Sequence, residues 1–204
     1  AKRRRAGGRD FTAKSTLAKE VEIRDGRPRF RERPGRFAAL EPARARQVHA
    51  AFRPYVDDAV LDLVLRLGAG TGSVDLERFY LLVGPEHFAG DADLPLCHVV
   101  EVKQQRPASP LHHFPDLRPE NRLDPAHLTV DCQRLMQRSP DMVLDEAVWE
   151  DKHWLVRSRH HARVGIDPED VALAKKKPGK RLAAYAGACG EALALAHARG
   201  DRRS

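Results

Sequence analysis

With 204 residues, 32% of them charged and only 6% aromatic, the chain can form one cored domain, alone or with an arm, and that core must be built mainly from Leu, Val and Ala. No apolar run reaches the roughly 18 residues of a membrane span, and the Arg-rich start lacks the apolar stretch of a signal peptide. The net charge of +7 sits in residues 1–36, where 13 Lys or Arg face five Asp or Glu, so the body is close to neutral.

Residues 1–36 read as a basic arm followed by an edge ribbon. Charge alone lets such an arm meet nucleic-acid phosphates, but no aromatic platform accompanies it, so a solvated arm is the better reading and nucleic acid is not an expected partner. Residues 21–30 read as strand, Asp25-Gly26 turn and strand, with Pro28 marking an edge. Ala43, Val48, Ala51 and Phe52 have helical spacing over 41–52, and Pro54 ends or kinks that helix. Asp57-Asp58 opens a further turn. The next strand, 61–67, alternates so that Leu61, Leu63, Leu65 and Leu67 share one face.

Gly68-Ala69-Gly70-Thr71-Gly72-Ser73 then joins this strand to a second at 77–83, and a third, 98–103, ends at Lys103. A glycine-rich hairpin with a lysine on the following strand is how protein kinases hold nucleotide phosphates. The same glycines also suit an ordinary hairpin loop. Gly90-Asp91-Ala92-Asp93 reads as a surface turn, since two carboxylates fall far short of a calcium loop.

Residues 107–125, with five prolines, read as a long loop, and 129–138 as a helix with Thr129 as its cap. Strands at 142–149 and 153–158 flank a turn at Glu150-Asp151. The ten histidines, His160-His161 among them, lack the ligand spacing of a zinc site. Cys97, Cys132 and Cys189 are widely spaced and odd in number, which suits reduced thiols in a cytoplasm. Lys175-Lys176-Lys177 and Lys180 form a basic loop. Residues 182–197 follow as an amphipathic helix whose stripe is Leu182, Ala186, Cys189, Leu193 and Ala196.

Several runs carry more than their spacing. They are Asp131-Cys132-Gln133-Arg134-Leu135-Met136-Gln137, Trp154-Leu155-Val156-Arg157 and the terminal Tyr185-Ala186-Gly187-Ala188-Cys189-Gly190-Glu191 with its continuation to Arg199. With Gly70-Thr71-Gly72-Ser73 and Val102-Lys103, they resemble the bacterial domain of unknown function family numbered 2252, over residues 14–201. The family looks related to protein kinases and aminoglycoside phosphotransferases. The resemblance implies an α+β fold over 37–204, with a mainly antiparallel, kinase N-lobe-like sheet of about five strands packed on the 129–138 and 182–197 helices.

It also implies that Gly70, Thr71, Gly72 and Ser73 cover the phosphates of ATP, that Lys103 pairs with them, and that Asp131, with Gln133 as the weaker candidate, holds the lysine. ATP and Mg are the implied cofactors of the intact protein, nucleotide its ligand and the cytoplasm its location. The family's Gly-Asp-x-His-x-x-Asn and Asp-Phe-Asp motifs do not occur, and Asp75 stands where a third glycine belongs. The chain is therefore expected to be a C-terminal fragment, inactive without an N-terminal catalytic half. A non-catalytic, pseudokinase-like binding or scaffold module is the main alternative, and a nucleic-acid-associated protein the second.

Overall fold

A computed structural model describes Leu17 and residues 19–68, 74–117, 124–159, 168–173 and 177–201. The chain divides into a larger unit, residues 1–130 with 141–162, and a smaller one, residues 131–140 with 163–204. The basic residues at 1–16, the glycine run from 69 to 73, His160-His161 and Lys175-Lys176 lie outside the described residues.

The larger unit begins with the expected ribbon, β1 (Val21–Arg24) and β2 (Arg27–Phe30), an isolated antiparallel pair. Its two-residue turn places Asp25 at φ 53° and Gly26 at φ 73°, the left-handed conformation that matches the twist of a tight hairpin. The main sheet is antiparallel and six-stranded, in the order β3-β4-β5-β6-β8-β7. Its strands are β3 (Phe37–Ala38), β4 (Ala59–Arg66), β5 (Arg78–Gly84), β6 (His98–Gln105), β7 (Leu144–Trp149) and β8 (Lys152–Arg159). The sheet thus has one strand more than expected, because the two residues of β3 are too short to leave a periodic trace.

Both faces of the sheet are covered. On one face, Val48 and Phe52 of α1 (Pro42–Phe52) pack with Phe79, Leu81, Val100, Trp154 and Val156. The Phe52 and Phe79 rings each lie 5.5 Å from the Trp154 ring, centroid to centroid, and full burial of such side chains stabilises by about 2–3 kcal/mol each. Pro54 ends α1, and the chain tightens into a 3₁₀ turn at Arg53–Tyr55. On the other face, Val21 and Phe30 of the ribbon pack with Tyr80, Leu82, Leu94 and Val99.

Within the strands and helices of 59–136, further expectations need correction. Leu61 does not share a face with Leu63 and Leu65. The register slips between Val60 and Asp62, and this bulge turns Leu61 toward the ribbon-side cluster while Leu63 and Leu65 stay with α1. Thr129 is not a helix cap either. The helix, α3, runs over Pro125–Met136, and Asp124 caps it by accepting the His127 N–H at 2.8 Å. Thr129 lies inside it and donates back to the Pro125 carbonyl at 2.9 Å. Finally, the 107–125 stretch is not all loop, since it holds a short helix, α2 (Pro110–His113), and a 3₁₀ turn at Pro115–Leu117.

The turn at Glu150-Asp151 is where the sequence places it, with both residues at φ 52°. α3 crosses between the units, with residues through Val130 in the larger one, where Val130 packs on Leu144 and Leu155. In the smaller unit, α4 (Pro168–Ala172) and α5 (Pro178–Gly200) are described. Near the end of α5, Arg199 approaches the Met136 carbonyl at 3.4 Å. The stripe expected to bury α5 does not do so: Leu182 and Leu193 are exposed, and no described residue of α5 is buried. Among the described residues, no helix is long and apolar enough to cross a membrane.

Candidate anion-binding site

Alternation along β6 puts Val100 and Val102 against α1 and leaves Glu101 and Lys103 on the opposite face. Antiparallel register then sets their neighbours. Glu101 lies opposite Tyr80 on β5 and Arg157 on β8, while Lys103 lies opposite Arg78 and Leu155. One face of three adjacent strands therefore gathers Arg78, Glu101, Lys103 and Arg157.

Glu101, only 3% exposed, is the one buried charged residue among those described. Its Oε2 accepts from Arg157 Nε at 2.8 Å and Nη2 at 2.7 Å, and its Oε1 lies 3.1 Å from Arg78 Nη1. Burial by itself raises a carboxyl, but Arg157, and after it Arg78, outweigh that effect and hold Glu101 below the ordinary carboxylate value. A single carboxylate thus anchors two guanidinium groups.

Lys103 is left over. It is half-buried, and among the described residues no carboxylate forms an ion pair with its ammonium. Burial is the main force lowering its pKa; the Arg78 charge adds to it, Glu101 opposes, and Arg157 and Arg106 push the same way. The ammonium therefore stands partly desolvated in a field of surplus positive charge. Further along β8, opposite Val99, Arg159 pairs with Glu20 at 3.0 Å and lies over the Tyr80 ring, while Glu20 also binds Arg36. The chemistry on offer is capture of a multivalent anion by a lysine and arginines already fixed in place.

The family model described as uncharacterized protein conserved in bacteria (DUF2252) matches residues 3–204. The chain belongs to that family. No curated protein and no solved structure matches the chain.

In this DUF2252 chain the expected site residues fare unequally. Lys103 sits at the centre of the cluster, on the strand where the sequence places it. Gly70, Thr71, Gly72 and Ser73 lie outside the described residues, although the strands they join, β4 and β5, are paired neighbours. Asp131 and Gln133 belong to the smaller unit, so the site described here consists of residues of the larger unit alone. Asp75 is at φ 61°, a left-handed conformation that favours glycine.

Sequence reasoning passed over Arg78, Glu101 and Arg157. A partial signal was present: Glu101 interrupts the apolar run Val99-Val100-Glu101-Val102 and must therefore be buried with a cation. Which arginines answer it depends on interstrand register, which no local pattern specifies.

Proposed function

We propose that this chain binds the phosphates of a nucleotide at the Lys103 end of β6, as the nucleotide-holding part of a kinase-like phosphotransferase. The observation that carries this reading is the half-buried Lys103 ammonium beside Arg78 and Arg157, two arginines that share the single carboxylate of Glu101. Like charges held together in a partly desolvated place cost stability unless an anion joins them. Three further features support a nucleotide as that anion. The glycine run joins two paired strands, the lysine lies on the strand beside them, and a helix follows that strand in the chain. Protein kinases assemble the same parts in the same order around ATP and Mg²⁺.

Phosphoryl transfer needs, in addition, an aspartate to orient the acceptor and another to hold the metal. The motifs that would bring them are absent from the sequence, so a separate segment carrying them is proposed as the partner that completes the enzyme. A second reading, a non-catalytic nucleotide-binding module, is favoured by Asp75, whose carboxylate stands at the third glycine position of the phosphate loop and repels phosphate.

Titration calorimetry of the full chain with Mg-ATP, and with adenosine as a control, tests the proposal. Mg-ATP binds the parent, adenosine binds far more weakly, and Lys103→Met lowers Mg-ATP affinity at least about tenfold, the effect of losing one charge-assisted contact. Equal affinity of parent and variant removes Lys103 from the site, and equal affinity for adenosine removes the phosphates.

A further inference from the structure

β4 is an open edge over most of its length. β3 pairs with it only at Leu65 and Arg66. Among the described residues, the stretch from Ala59 to Val64 therefore has β5 on one side and no strand on the other. The β1–β2 ribbon passes nearby without continuing the sheet. Its Phe30 N–H donates to Asp62 Oδ2 at 2.7 Å, and the Leu63 N–H meets the same carboxylate. A side chain thus stands where a neighbouring strand would supply carbonyl acceptors.

A hollow of about 570 Å³ follows this edge. It adjoins a second of about 350 Å³ that shares Ala45, Asp62 and Leu63 with it. The lining is apolar at Phe30, Ala38, Leu40, Ala45 and Leu63. Its charges are mostly positive: Arg24, Arg29, Arg31 and Arg33 from the ribbon side and Arg46 from α1, against Glu32 and Asp62. Glu22 pairs with Arg24 and Arg31, and the cations still outnumber the acids when it is included.

We infer that this groove receives an extended acidic peptide segment of another protein, added as a strand beside β4. The unpaired edge supplies main-chain hydrogen bonding, and pockets along it read alternate side chains. The arginines choose acidic side chains and reject basic ones. At about 3.3 Å per residue, the stretch from Ala59 to Val64 presents roughly 20 Å, enough for a six-residue strand. Asp62 caps the edge in the free chain, and a peptide amide takes over that carboxylate or a neighbouring carbonyl on binding. Lys103 lies two strands away on β6, so nucleotide and peptide have separate sites.

The test is fluorescence anisotropy of a fluorescein-labelled Glu-Val-Glu-Val-Glu-Val peptide with the full chain at low ionic strength. Three arms accompany it: a Lys-Val repeat, an acidic peptide N-methylated at alternate residues, and the Arg29→Glu/Arg46→Glu double variant. Both substituted residues are exposed, and the unfolding midpoint of the variant checks its fold. The acidic peptide binds, the Lys-Val and N-methylated peptides do not, and the double variant binds at least about tenfold more weakly. No anisotropy rise, or equal binding by the basic peptide, the N-methylated peptide or the double variant, overturns the inference.

Discussion

Replacing Glu101 with Gln keeps the shape of the side chain and removes its charge. In the parent, the carboxylate holds Arg157 through two contacts of 2.7 and 2.8 Å and Arg78 through one of 3.1 Å, at a position 3% exposed. Charge-assisted hydrogen bonds are each worth roughly 1.5–3 kcal/mol, and breaking a buried ion pair costs about 3–5 kcal/mol. The arginine side chains are 16% and 23% exposed, so both recover some hydration, and the expected loss is near the lower end, about 3 kcal/mol. For a chain of this size that lowers the melting temperature by roughly 6–12 °C.

The pH dependence has a definite sign. The folded-state pKa of Glu101 lies below its ordinary value of 4.5, so its contribution is fully present above that value and is lost as the pH falls through the folded one. Urea unfolding of parent and variant, followed by circular dichroism from neutral pH down through the carboxylate range, measures both effects. The gap between the two proteins is widest at neutral pH and closes in acid. A variant within about 0.5 kcal/mol of the parent, or a gap that does not change with pH, would refute the buried-anchor account.

Other substitutions test the surrounding frame. Gly84→Ala places a Cβ at 2.6 Å from Cys97 Sγ and 3.1 Å from Leu61 Cδ1, and thermal unfolding should register a loss of about 1–3 kcal/mol that Cys97→Ala partly restores. Asp151→Gly relieves a left-handed residue in the β7–β8 turn and should stabilise by about 0.5–1 kcal/mol in urea titrations, with an unchanged or lower midpoint counting against it. Asp75→Gly removes a carboxylate and a residue at φ 61°, and calorimetry should show Mg-ATP affinity rising about threefold to tenfold, equivalent to roughly 1 kcal/mol.

Much of the frame was legible because period and turn chemistry act locally. Asp25-Gly26 and Glu150-Asp151 mark their hairpins, and the valines of β6 alternate about Glu101 and Lys103. What was not legible depends on partners distant in sequence. The bulge that turns Leu61 away is a mismatch between β4 and β5, and β3 exists only because two residues meet Leu65 and Arg66. Thr129 precedes the first apolar repeat and so resembles a cap in sequence, whereas Asp124 reaches the first turn ahead of Pro125. Half of the candidate site was likewise hidden. Lys103 stands at the end of a readable strand, but the arginines that give it meaning arrive through register with β5 and β8.

Thermal unfolding of the parent and Lys103→Met, each with and without Mg-ATP, tests the central claim most directly. Without nucleotide, the variant should melt roughly 1–4 °C higher, because a like charge opposite Arg78 costs about 0.5–1 kcal/mol. With Mg-ATP, the parent should gain stability, about 2.7 kcal/mol at a hundredfold excess over Kd, while the variant gains little. A nucleotide shift of equal size in both proteins, or none in the parent, would contradict an anion site built on Lys103.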